Sequence, residues 1–131
     1  MPPHRQPTIS THVLDNERGQ PAVGVQVTLE RRHGDAFTML TSATTDEDGR
    51  IANLLPGQLQ AGAYRIAFDA ASYFVQGGAE SGAEHEQGAG ETGDECFLQT
   101  VAIEFQITDT TRHYHVPLLM TRYACTSYRG S

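Results

Sequence analysis

The chain has 131 residues, enough to bury one hydrophobic core, and 38% of them are hydrophobic, with no tryptophan. No apolar run approaches the roughly 18 residues that a membrane-spanning helix requires. The N-terminal stretch MPPHRQPT lacks the apolar core of a secretory signal, so a cytoplasmic location is expected. The formal charge of −7 argues against the basic surface that nucleic acid or an anionic membrane would need, so neither is an expected partner.

The first half of the chain alternates polar and apolar residues in short runs. This period of two predicts strands over residues 8–14, 25–30 and 37–41. Gly19 and Pro21 predict a turn between the first two strands, and Gly34 with Asp35 predicts a hairpin turn before the third.

A tight turn is predicted at residues 46–49, because its Asp-Gly pair supplies the positive φ that such turns demand. A short strand starts at Arg50, and Pro56-Gly57 ends it. Residues 63–69 again alternate and predict a strand, and residues 70–76 give a weak indication of a brief helix.

Residues 77–95 contain six of the sixteen acidic residues and six of the thirteen glycines. The rest of the chain carries ten acidic against nine basic residues, a net charge of −1. The segment has too few large apolar side chains to offset the entropy lost on ordering. We therefore predict an acidic, glycine-rich flexible loop at 77–95, inserted in a single domain that spans 1–131 and begins with a tail at 1–7.

Order resumes with an alternating strand over residues 101–107, and the last two strands are predicted over 113–120 and 123–128. About eight short strands, separated by turn signals, favour an all-β sandwich.

Three histidines form a pattern in this scheme. His113 and His115 are two apart, so in a strand both side chains leave by the same face, and His12 lies in the first strand. Spacing alone leaves three readings open: surface or interface histidines, part of a metal site, or acid–base chemistry. Arg50, directly after the Asp-Gly turn, is by itself most simply a solvated arginine.

Several segments together resemble the transthyretin-like family, in the order in which that family has them. ISTHVLD, GQPAVGVQVTLER, the turn TDEDGRI and GAYRIAFD are similar to its first five strands and the turn bearing its catalytic arginine. VAIEFQITD leads to HYHVPLL, and the final YRGS resembles the ending of the family's enzymatic branch, the 5-hydroxyisourate hydrolases. Transthyretin, the carrier branch, lacks both the histidines and that ending. The resemblance spans residues 8–131 apart from the acidic loop.

The resemblance implies a transthyretin-like, eight-stranded β-sandwich with one short helix. It also implies a homotetramer, a dimer of dimers, with the sites in the channel between the two dimers. The positions of the family's catalytic residues are taken by His12, Arg50, His115 and Ser131. Three further residues of the same motifs are expected to bind substrate: His113, Tyr128 and Arg129.

The implied reaction is hydrolysis of the six-membered ring of 5-hydroxyisourate during urate degradation. The product would be 2-oxo-4-hydroxy-4-carboxy-5-ureidoimidazoline. Histidine, with an ordinary pKa of about 6.5, can take a proton from water at neutral pH, and an arginine offers a permanent charge to the substrate. The resemblance implies no cofactor and no metal.

Two other classes of function stay open. One is a carrier that binds a small aromatic ligand without turning it over, which the histidine–arginine set and the YRGS ending argue against. The other is a zinc-binding sandwich using His12, His113 and His115, against which activity that survives a strong chelator would count. Cys96 and Cys125 fit no zinc spacing and are expected to be reduced, partly buried thiols.

Overall fold

The computed structural model describes residues 7–81 and 96–130 of the chain. Nine strands and one helix lie in these residues. They are β1 (Ile9–Asp15), β2 (Gln20–Pro21), β3 (Gln26–His33), β4 (Ala36–Thr44), β5 (Arg50–Ile51), β6 (Gly62–Asp69), α1 (Ala70–Ser81), β7 (Thr100–Ile107), β8 (Tyr114–Met120) and β9 (Cys125–Ser127).

The strands form two sheets packed face to face. One has the order β2-β1-β8-β9, with β5 also paired to β1, and the other has the order β4-β3-β6-β7. Strands β1 and β8 run parallel, whereas all other pairs are antiparallel. The parallel pair joins segments about a hundred residues apart in sequence and lies in the middle of the first sheet.

The alternation that predicted the strands also builds the core. In β1, Ile9 and Val13 are fully buried between the sheets, and in β6 the same holds for Ile66 and Phe68. Residues at the intervening positions of β1, among them His12, therefore face away from the core. The predicted all-β sandwich is confirmed. It has nine strands rather than eight, because Gln20 and Pro21 of the turn predicted around Gly19 and Pro21 pair with β1 as β2.

The helix is longer than predicted. It continues to Ser81, so the first five residues of the predicted flexible loop at 77–95 are helical, and the loop's remaining residues lie outside the described part of the chain. The glycine pair at 77–78 lowers helix propensity, by about 1 kcal/mol per glycine. Tertiary packing outweighs this cost, because Tyr73 and Phe74 are buried in the core and the Asp69 carboxylate accepts a hydrogen bond from the Ser72 amide at 3.1 Å.

Smaller differences concern the C-terminal strands and the thiols. Strand β8 begins at Tyr114, so His113 lies one residue before it, and β9 spans three residues rather than the predicted six. Cys96 is buried, whereas Cys125 is exposed and not partly buried as expected, because it lies on an edge strand; the two form no disulfide. At twelve residues, the helix of the described ranges is too short to cross a membrane. The predicted tail at 1–7 lies outside the described residues except for Pro7.

Candidate active site on the outer face of one sheet

Strand register brings the predicted residues of three separate segments to one face. His12 of β1 lies opposite Arg50 of β5 on one side and Pro117 of β8 on the other. Ser10 lies opposite His115 in the same parallel pair. Paired residues of neighbouring strands project from the same side of a sheet, so these side chains share the outer face, away from the core.

Arg50 is delivered by the predicted tight turn. The Asp46 carboxylate accepts hydrogen bonds from the Asp48 and Arg50 amides, each at 2.9 Å, and these bonds lower the pKa of Asp46. Gly49 has a φ of 76°, and a Cβ atom there would lie 2.5 Å from the Val13 carbonyl oxygen. The turn can therefore press against β1 only with glycine at this position, and that contact sets Arg50 beside His12.

Each of the two central histidines has one ring nitrogen held by the protein. His12 Nε2 lies 3.0 Å from the Asp48 carbonyl oxygen, which can only accept, so this nitrogen carries a proton. His115 Nδ1 lies 2.7 Å from the Ser10 hydroxyl, and the same hydroxyl lies 2.8 Å from His113 Nε2. The other nitrogens, His12 Nδ1 and His115 Nε2, make no hydrogen bond with any described residue.

The surroundings of His115 favour its neutral form. Burial lowers the pKa of His115 below its ordinary value, and positive charge on His113, His12 and Arg50 lowers it further. A histidine in this state stays unprotonated at neutral pH and has a nitrogen lone pair to offer.

A cavity of about 320 Å³ lies against this group. It is lined by Ser10, Thr11, Arg50, Ile51, Ala52, His113 and His115. The Arg50 side chain, one of the lining residues, is exposed and forms no ion pair with any described residue. The imidazoles of His113 and His115 and the guanidinium of Arg50 thus share an open, partly polar cavity, and His12 lies on the same face outside its lining.

The C-terminal segment packs along the same strand but sends its side chains in different directions. The Gly130 amide donates to the His115 carbonyl oxygen at 2.8 Å, which places Gly130 against the His115 ring. Arg129 instead lies 4.5 Å over the ring of Tyr114, which is buried between the sheets. With His115 and Tyr128 it lines a second cavity of about 250 Å³, and not the cavity that His113 and Arg50 line. Tyr128 is 57% exposed, and Ser131 lies outside the described residues.

Sequence reasoning named seven site positions, six of them among the described residues, but missed Ser10. The available signal was parity, because Ser10 is two residues before His12 and hence on the same face of β1. What the sequence could not supply was the partner strand, since Ser10 meets His113 and His115 only through the β1–β8 register.

As for the zinc alternative, no cluster of three or more histidine, cysteine or acidic side chains suited to a metal occurs within residues 7–81 and 96–130.

Comparison with known proteins gives a consistent picture. A model of the HIUase/Transthyretin family matches residues 9–130 of the chain. The chain is similar to the 5-hydroxyisourate hydrolase of Deinococcus radiodurans, with 42% identity over 127 residues that cover 95% of this chain and 97% of that protein.

Two solved structures are similar over nearly their whole length. The 5-hydroxyisourate hydrolase of Klebsiella pneumoniae superposes with a TM-score of 0.74 at 31% identity, covering 95% of this chain and 99% of that one. Sea bream transthyretin, solved in complex with thyroxine, gives a TM-score of 0.76 at 25% identity and covers 93% of both chains. The expected transthyretin-like fold is therefore confirmed.

Proposed function

The chain belongs to the HIUase/Transthyretin family, and we propose that it is a hydrolase of urate degradation that opens the six-membered ring of 5-hydroxyisourate. The observation that carries this proposal is the shared face of β1, β5 and β8, where Arg50 and His115 line one cavity and His12 lies opposite Arg50. Full-length relatives that are named 5-hydroxyisourate hydrolase support the choice of substrate.

Ring opening needs a nucleophilic water and stabilisation of the charge that develops on the attacked carbonyl. We assign the base to His115, whose lowered pKa keeps it neutral and whose Nε2 makes no hydrogen bond with a described residue. The water oxygen attacks the ring carbonyl, His115 takes its proton, and the ring C–N bond breaks with a proton delivered to the nitrogen. Proton transfer to a positioned base is typically worth about 10²–10⁴ in rate.

His12 is suited to orient the water or to return the proton. Its Nε2–H donates a hydrogen bond to the Asp48 carbonyl oxygen, which fixes the ring. Its Nδ1 makes no hydrogen bond with a described residue and is therefore the atom that can contact water or substrate. A neutral His12 can accept from the water at Nδ1, and a protonated His12 can donate to the leaving nitrogen at the same atom. Either role keeps the ring's anchor intact.

Arg50 supplies the electrostatic part of the mechanism. Its guanidinium is charged at every working pH and has a planar fork of donors that suits the carbonyl and anionic edge of the heterocycle. It forms no ion pair with any described residue, so its donors can bind substrate without first breaking a salt bridge. The expected product is 2-oxo-4-hydroxy-4-carboxy-5-ureidoimidazoline.

The remaining predicted residues complete the proposal with smaller roles. Ser131 would close the site, a role that rests on the family resemblance and on Gly130, its neighbour in sequence, contacting His115. His113 and Tyr128 are proposed to contact substrate. Arg129, which stacks on Tyr114, would act on substrate only from another subunit or after leaving that ring.

We further propose that the chain works in the cytoplasm as a homotetramer, a dimer of dimers, with the sites in the channel between dimers. In a single chain the site lies on an open sheet face, and Tyr128 beside it is 57% exposed. A second subunit facing this surface would exclude bulk water and strengthen the interaction of Arg50 with the developing charge.

The test uses freshly made 5-hydroxyisourate, whose ultraviolet decay is followed with and without protein. We expect the native chain to accelerate the decay and His12→Asn or His115→Asn to lose at least 100-fold of that acceleration, in line with the usual worth of acid–base catalysis. His33→Asn, in the exposed β3–β4 hairpin, is the matched control, and gel filtration reports whether each variant keeps the native assembly. Full activity in either active-site variant would refute its role, and ligand binding without any turnover by the native chain would favour the carrier reading.

A further inference from the structure

One hydroxyl group connects two histidines of the site. Ser10 Oγ lies 2.8 Å from His113 Nε2 and 2.7 Å from His115 Nδ1, both within ordinary hydrogen-bond distance. Ser10 is only 7% exposed, so water does not compete freely for its hydroxyl. The two histidines lie on β8 and the residue before it, whereas Ser10 lies on β1, so the contact crosses the parallel strand pair.

Donor counting limits what this contact can be. A serine hydroxyl has one proton and two lone pairs, so it can donate to only one of the two rings. Because the described residues offer its proton no other acceptor, it pairs fully only by donating to one ring and accepting from the other. In one arrangement His115 Nδ1–H donates to Ser10, and Ser10 donates to an unprotonated His113 Nε2. In the reverse arrangement His113 donates to Ser10, and Ser10 donates to an unprotonated His115 Nδ1. The tautomers of the two rings are therefore coupled through Ser10.

The two arrangements have opposite consequences for His115. In the first, His115 carries its proton at Nδ1 and presents a lone pair at Nε2, as a base requires. In the second, Nε2 carries the proton and cannot accept one. In the first arrangement, His115 can take a proton from water at Nε2 and still donate a hydrogen bond to Ser10 from Nδ1. The hydrogen bonds of Ser10 therefore stay the same during proton transfer only in this arrangement.

We propose that Ser10 is a positioning residue that holds His115 as the Nδ1–H tautomer, with His113 as the terminal acceptor of a three-membered hydrogen-bond chain. The catalytic importance of this tautomer rests on the proposed function, whereas the tautomer itself follows from the contacts of Ser10. His113 is exposed, so its remaining N–H can be solvated while its Nε2 accepts from Ser10. His115 is half-buried and depends on Ser10 for its only side-chain partner among the described residues.

The first test is spectroscopic and independent of turnover. Nitrogen-15 shifts of histidine rings in the full-length, isotope-labelled protein distinguish a protonated Nδ1 from a protonated Nε2. We expect His115 to be the Nδ1–H tautomer in the native chain and in Ser10→Thr, which keeps the hydroxyl, and a mixture of tautomers in Ser10→Ala. Ser42→Ala, which removes a hydrogen-bonded hydroxyl from the opposite sheet, should leave His115 unchanged. A native His115 protonated at Nε2, or a tautomer unaffected by Ser10→Ala, would overturn the proposal.

The second test is kinetic. Ser10→Ala should lower kcat by roughly 10- to 100-fold, as is typical when the partner that orients an active-site histidine is removed. KM should change little, because Ser10 acts through His115 and does not itself hold substrate. Ser10→Thr should recover most of the rate.

A double-mutant cycle decides whether the hydrogen-bond chain of His115, Ser10 and His113 acts as a unit. His113→Ala removes the terminal acceptor, so its effect on kcat in the Ser10→Ala background should be much smaller than in the native background. Fully additive effects would refute the coupling. If the native chain shows no hydrolysis at all, the proposed function fails, while the tautomer measurement still decides the role of Ser10. If Ser10→Ala does not fold, the native spectrum and Ser10→Thr decide it.

Discussion

Gly130 provides the sharpest test of how the C-terminal segment supports the site. A Cβ atom at this position would lie 2.6 Å from His115 Cδ2, a separation that real Cβ atoms essentially never show, and 3.3 Å from Cγ. The backbone of Gly130 is not in the left-handed region, so Gly130→Ala introduces this collision without added backbone strain. The added methyl group can be accommodated in only two ways.

In the first, the His115 ring turns away, which breaks its 2.7 Å contact with Ser10. In the second, the terminal strand lifts, which breaks the 2.8 Å bond from the Gly130 amide to the His115 carbonyl oxygen. The lost bond costs about 1 kcal/mol of stability in either case. A misplacement of the base by about 1 Å can cost about 100-fold in rate, so activity should suffer far more than stability.

The assay is the decay of 5-hydroxyisourate measured with Gly130→Ala, together with urea unfolding of the same protein. Gly57→Ala is the matched control, because nothing lies within 4 Å of a Cβ atom at that glycine. We expect kcat/KM to fall about 100-fold in Gly130→Ala and to stay native in Gly57→Ala. Equal activity in the two variants would show that the packing of Gly130 on His115 does not position the base.

Two further predictions concern titration and stability. Because burial and neighbouring positive charge lower the pKa of His115, its unprotonated form should persist below pH 6.5. The value of kcat/KM should therefore decline only as the pH falls through the lowered pKa of His115. A decline of kcat/KM that begins above pH 6.5, or a His115 pKa above 6.5 by NMR titration, would contradict this assignment. Tyr73→Phe removes the 2.7 Å hydrogen bond to the fully buried Asp15 carboxylate, so it should lower the free energy of unfolding in urea by about 2 kcal/mol with little change in kcat. Tyr123→Phe, at a 60% exposed ring, is the control. Equal stabilities of the two variants would refute the role of the Tyr73–Asp15 bond.

Most of the fold follows from local sequence patterns. Alternating residues predicted β1, β3, β6 and β7 to within a few residues at each end, because one face of each strand packs into the core. The Asp-Gly pair predicted the turn before Arg50, since its geometry depends on residues that are close in sequence. The extent of α1 was wrong, because burial of Tyr73 and Phe74 sustains a helix that its glycines disfavour.

For the candidate site, too, some features were predicted from the sequence and others were set only by the tertiary structure. The sequence alone predicted His12, Arg50 and His115 as site residues through motifs of a recognisable family, and strand parity predicted that His113 and His115 leave by the same face. Only the tertiary structure decided that Ser10 bridges His113 and His115 and that Arg129 stacks on Tyr114. The contacts of Ser10 depend on the register of β1 against β8, and a shift of one residue would turn Ser10 to the other face relative to His115. That register is set by packing between segments about a hundred residues apart, which no local pattern in either segment contains.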